Sequence, residues 1–132
     1  PQPASNPPPA SLYYPGDDCV DLLGMSGLNW GSSRAKAIHG WDSRWLAFEE
    51  IFAPLRRSLL DAAPSKPVLV LETATVDLGG DKARWIDDAL HTAAEWNLRG
   101  LGWLDVRREI NWKLEEHIPH EVMLEMQEQN AP

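Results

Sequence analysis

The stretch PVLVLETATVDLGGDKARWIDDAL, residues 67–90, decides the fold. Four consecutive aliphatic residues, Val68 to Leu71, follow Pro67 and end on the carboxylate Glu72. Such a run predicts a strand over 67–72 buried on both faces, as in a parallel sheet. A buried, unpaired carboxylate is costly, so Glu72 must reach water or find partners. Strand alternation would set Glu72, Val70 and Val68 on one face and Leu69 and Leu71 on the other. Gly79-Gly80 punctuates the chain, and from Asp81 the residues Trp85, Ile86, Ala89, Leu90 and Ala93 recur at helical spacing. This predicts a helix over 81–96 with Asp81 as N-cap. Strand, loop and helix make half of a βαβ unit. Such units bind ligands at the carboxyl ends of their strands, where Glu72 is expected to sit.

Outward from that stretch, the order is strand, helix, strand, helix, strand, helix. The run CVDLLGMSGLNW (19–30) predicts a strand ending near Leu28, and 31–42 a loop. Trp45, Phe48, Ile51 and Phe52 predict a helix from Arg44 to Phe52. Pro54 is expected to break or restart it, with a second short helix reaching Leu60. RGLGWLDV (99–106) predicts a third strand, and 119–129 a last helix. Residues 1–16, PQPASNPPPASLYYPG, read as a Pro-rich loop or linker. No hairpin pattern intervenes, so the sheet should be parallel. Three βα units cannot close a barrel of eight strands and about 250 residues. A bare three-stranded sheet would leave its edges unpaired. The expectation is therefore an α/β chain in which residues 1–132 form the C-terminal portion, about strands six to eight, of a (β/α)₈ TIM barrel.

Composition excludes several classes. The chain is 43% hydrophobic and 24% charged, as in folded domains. No apolar run nears the ~20 residues of a membrane span. A net charge of −8 argues against a nucleic-acid partner. One cysteine, Cys19, rules out an internal disulfide or a cysteine zinc site and is expected to pack as a small buried residue. Seven tryptophans suit either a core or the apolar faces of sugar rings.

Several stretches together resemble the glycoside hydrolase family 26 type of domain, which includes endo-β-mannanases and endoglucanases. YYPGDDCVDLLGMSGLNWG (13–31) is similar to the segment through that family's sixth strand, and WLAFEEIFAPL (45–55) to the helix after it. KPVLVLETATVDLGGDKARWIDDAL (66–90) resembles the seventh strand, its catalytic glutamate and the next helix; RGLGWLDV and INWKL (99–114) resemble the eighth strand and its sequel. The resemblance implies retaining hydrolysis of β-linked polysaccharide, in which one carboxylate attacks the anomeric carbon and a second protonates the leaving oxygen. It implies Glu72 as nucleophile, with the acid/base upstream of this chain, so that the remainder of the barrel is a required partner. It implies Trp103 as the platform beneath the sugar, Asn29 and Trp30 at the mouth of the cleft, and Asp105 as a further polar contact. It implies a secreted enzyme with no cofactor and no metal. Leu28 departs from the family, which carries a tyrosine there to hydrogen-bond the nucleophile. A non-catalytic carbohydrate-binding or structural relative is therefore the alternative.

Other features have plainer readings. Trp45, Trp85 and Trp96 fall on expected helices and read as packing residues. His117 and His120 bracket Pro119 and read as a loop rather than a metal pair. Asp17-Asp18 read as a turn. Gly79-Gly80 lack the Lys-Ser/Thr of a phosphate loop.

Overall fold

The computed structural model describes residues 8–114. The expected helix over 119–129 and the His117/His120 pair lie outside the described residues. Three strands, β1 (Leu23–Asn29), β2 (Val68–Thr75) and β3 (Leu101–Trp103), form one parallel sheet in chain order. Helix α1 (Lys36–His39) and helix α2 (Phe48–Ala62) lie between β1 and β2; helix α3 (Lys82–Glu95) connects β2 to β3.

Both long helices cover one face of the sheet. Helix α2 turns Phe48 and Phe52 inward, with Ile51, Leu55 and Leu59 beside them at helical spacing, against Leu23, Met25, Val68 and Val70. Helix α3 adds Trp85, Ile86 and Ala89. The rings of Phe48 and Trp85 meet edge to face at 5.8 Å, joining the helices over the sheet. Burying Phe52 completely is worth about 2–3 kcal/mol. That burial explains why α2 runs unbroken through Pro54. The proline removes the donor for the Glu50 carbonyl, but the apolar face on either side holds the helix together. Glu50 also closes the N-terminus by accepting from the Ala47 amide at 3.1 Å. In α3 the expected cap is present: Asp81 Oδ1 accepts from the Arg84 amide at 3.1 Å.

Several expectations are corrected. Strand β2 extends through Thr73, Ala74 and Thr75, so Glu72 lies within it, three residues before its end. The β-branched threonines pair with β1, Thr73 beside Gly27 and Thr75 beside Asn29. Strand β1 begins only at Leu23, and Asp17–Cys19 form a 3₁₀ turn that leaves Cys19 exposed rather than buried. Asp17 Oδ1 there accepts from the Tyr14 hydroxyl at 2.5 Å, which pushes the phenol up to about 12. Strand β3 is three residues long, not eight: the Leu104 amide still donates to the Thr73 carbonyl at 2.9 Å, and the chain leaves the ladder after it.

The alternation along β2 is also corrected. Met25 pairs with Val70, but the next residue, Ser26, pairs with Glu72; Leu71 is an extra residue, a β-bulge. The same irregularity appears toward β3, where Val70 pairs with Leu101 and Thr73 with Trp103. The bulge shifts the phase of everything after it. Val68, Val70, Thr73 and Thr75 face the helices. Leu69, Leu71, Glu72 and Ala74 face the other way. Position 27 confirms the sides, since a Cβ on Gly27, the neighbour of Thr73, would meet Ile51 and Phe52 of α2.

Candidate functional site

Glu72 is exposed on the sheet face that the helices leave open. Its neighbour across the β1 ladder is the exposed Ser26, and the preceding Leu71 is 62% exposed. Among the described residues, no hydrogen bond or ion pair engages the Glu72 carboxylate. Toward the strand's end the same face is closed by an apolar cluster of Ala74, Val76 and Trp112, with Leu28, Trp30, Trp103 and Leu104 against it.

The remaining residues singled out from the sequence are engaged in building this frame. Asn29 is wholly buried; its Nδ2 donates to Thr75 Oγ1 at 2.8 Å, and its Oδ1 accepts from the amides of Leu46 at 2.9 Å and Gly31 at 3.2 Å. It ties the ends of β1 and β2 to the loop that leads into α2. Trp30 is half-buried between Trp112 and Trp41, with ring centroids at 4.9 and 5.8 Å, both edge to face. The Arg34 guanidinium stands 4.7 Å over its ring and pairs with Glu109 at 3.4 Å. Asp105 is exposed beyond β3, where its Oδ1 accepts from the Leu114 amide at 2.9 Å and closes the turn of residues 105–114.

Trp103, which the resemblance puts under a sugar, is half-buried at the end of β3. It is paired with Thr73, meets Trp85 of α3 edge to face at 5.9 Å, and also packs against the cluster of Ala74, Val76 and Trp112. The Trp103 Nε1 and the Thr73 Oγ1 are both buried with no hydrogen-bond partner among the described residues. A packing role has a measurable consequence. Trp103→Ala is expected to lower unfolding stability by about 2 kcal/mol, less than a fully buried aromatic because the ring is half-exposed. Denaturant titration checks this; unchanged stability with weakened sugar binding would restore the platform role.

Sequence reasoning missed Ser26 and Gly102, whose relation to Glu72 exists only through the ladder. Pairing strands by their residue types could not have found them, because the bulge moves the register by one. A groove of about 450 Å³ lined by Arg56, Lys66, Trp96 and Arg99 lies at the other end of the sheet, by the start of β2. It takes no part in the Glu72 site. Among the described residues, no group of three His, Cys, Asp or Glu could hold a metal ion. No helix among them is long and apolar enough to cross a membrane.

In class, this is a parallel α/β unit with one helix-covered face and, on the other, a carboxylate without a partner among the described residues. Compared with known proteins, the chain is 31% identical over 104 residues to Endoglucanase H of Acetivibrio thermocellus. The match takes in 77% of this chain and 11% of that relative, so the chain spans about a tenth of the length of the curated protein it matches. No protein-family model matches the chain.

Proposed function

We propose that this chain is the C-terminal portion of a secreted (β/α)₈-barrel glycoside hydrolase of the family 26 type, acting on β-linked polysaccharide with retention of configuration. Glu72 is its nucleophile. A carboxylate oxygen of Glu72 forms a bond to the anomeric carbon while the glycosidic oxygen departs with a proton from a second carboxylic acid, about 5–5.5 Å away in retaining enzymes. Water then releases the sugar. The acid/base and most of the sugar contacts come from the remainder of the barrel, whose strands would pair with the outer edges of β1 and β3. The observation that carries this reading is the state of Glu72 itself: of the five residues that the sequence offered, it alone is exposed with its side chain uncommitted among the described residues. The similarity to an endoglucanase supports a β-glucan substrate.

Covalent trapping tests it. A 2-deoxy-2-fluoro glycoside with a good leaving group slows release of the glycosyl-enzyme. Mass spectrometry of the digested full-length protein should then find one sugar on the peptide containing Glu72. A sugar on a different carboxylate would overturn the assignment.

Leu28 motivates a second reading, a glycan-binding relative without turnover. It lies on the Glu72 face beside Ala74 and offers the carboxylate no donor. Leu28→Tyr is expected to raise kcat of the full-length enzyme several-fold by supplying the hydroxyl that keeps the nucleophile ionised and oriented. No gain would mean that a donor from the remainder of the barrel already serves it. Retention on insoluble glucan without any reducing-sugar release, in wild type and Leu28→Tyr alike, would favour the binder.

A further inference from the structure

The direction of Glu72 depends on one extra residue in β2, and that residue is housed by glycines on both neighbouring strands. On β1, a Cβ at Gly24 would come within 2.6 and 2.8 Å of Leu71 Cδ1 and Cγ. On β3, a Cβ at Gly102 would fall on the Leu71 carbonyl oxygen, 3.0 Å from its carbonyl carbon and 3.4 Å from the Val70 oxygen. The side chain of the bulged residue therefore lies over one glycine and its carbonyl over the other. Gly24 can be replaced if the flexible end of Leu71 moves. Gly102 cannot, since backbone blocks the space. Without the bulge, β2 would alternate regularly, and Glu72 would fall in phase with Val68 and Val70 on the face packed by Phe48 and Phe52. Burying a carboxylate there is costly.

We infer that Gly102, with Gly24 opposite, is a positioning residue: by lacking a side chain it admits the Leu71 bulge, and the bulge turns Glu72 to the open face. The orientation stands on the strand geometry alone; only its consequence for turnover rests on the proposed hydrolase.

Thiol labelling separates the two. In a Cys19→Ser background of the full-length protein, the thiol introduced by Glu72→Cys should react quickly with iodoacetamide, and the one introduced by Thr73→Cys slowly, as Thr73 is buried. Gly102→Ala should exchange them, slowing the first and speeding the second by about tenfold or more, because reaction requires an accessible thiolate. Unfolding would speed both, so the exchange is not mimicked by loss of structure. Deleting Leu71 in the Gly102→Ala protein removes the extra residue and should restore the original order of reactivity. Unchanged labelling in folded Gly102→Ala overturns the inference. Should Gly102→Ala unfold, the Leu71 deletion decides: recovery of fold and reactivity order supports the inference, and failure to recover overturns it. With native Glu72, Gly102→Ala should lower kcat about 10²-fold with little change in KM, the scale of a misplaced reacting group, and the deletion should restore it. An exchange of labelling with no loss of turnover keeps the positioning and removes Glu72 from the chemistry.

Discussion

Glu72→Ala in the full-length protein is expected to lower reducing-sugar release from soluble mannan and mixed-linkage glucan by about 10³-fold or more, the scale on which loss of a nucleophile acts. The melting temperature should not fall, because the carboxylate is exposed and has no hydrogen bond or ion pair among the described residues. That combination distinguishes a reacting group from a strand-end ion pair, whose removal would affect stability and not turnover. On the proposed mechanism, truncation also leaves space beside the anomeric carbon. Azide, a small nucleophilic anion, should enter it and restore turnover of an aryl glycoside whose leaving group needs no acid. Unchanged sugar release from Glu72→Ala would take Glu72 out of the mechanism.

Asn29→Ala is expected to be the most damaging single change to the fold. The amide meets two backbone N–H groups and one hydroxyl, all at a position with no exposure. Each buried group left unpaired costs about 1–3 kcal/mol, so the total is about 3–5 kcal/mol, a large share of a domain's stability. The loss is concentrated at Leu46, whose carbonyl is held from the other side by Trp85 Nε1 at 2.7 Å. Releasing it would free the approach to α2 and the packing of Phe48. A denaturant midpoint measured at constant m-value checks the size. The outcome opposed to this reading is full stability with a raised KM, which would return Asn29 to sugar contact.

The parallel α/β class and the order of the main elements were legible because each rests on runs of one residue kind. Val68 to Leu71 announce a buried strand, and the spacing of Trp85, Ile86 and Ala89 announces α3. What escaped depends on pairing. Thr73-Ala74-Thr75 are small or polar and read as a loop, yet Gly27 and Asn29 on β1 keep them in the ladder. The Leu71 bulge is a relation among three strands and leaves no mark in any one of them. It moved Glu72 to the face opposite Val68 and Val70, while Trp103 stayed paired with Thr73. Helix α2 passes through Pro54 because buried rings outweigh one missing donor, a balance that local propensity does not contain. At the site, Glu72 was legible as a carboxylate that must reach water or find partners, whereas Asn29, Trp30 and Asp105 were not separable from ligand contacts by type. An amide or an indole looks the same in sequence whether it meets a sugar or its own backbone.

The all-parallel ladder also governs how this unit acquires its form. No two adjacent strands are joined by a tight turn, so neither ladder can zip up from a local start. Strand β2 must find β1 across the whole of α2, and β3 must find β2 across α3; each closure costs chain entropy before any pairing repays it. Folding should accordingly be slower than for a helical bundle of similar length. In synthesis from the N-terminus, β1 and α2 are complete well before the last strand emerges to lay Gly102 against the Leu71 carbonyl. The strand that carries the glutamate is thus held on both sides only once β3 is in place.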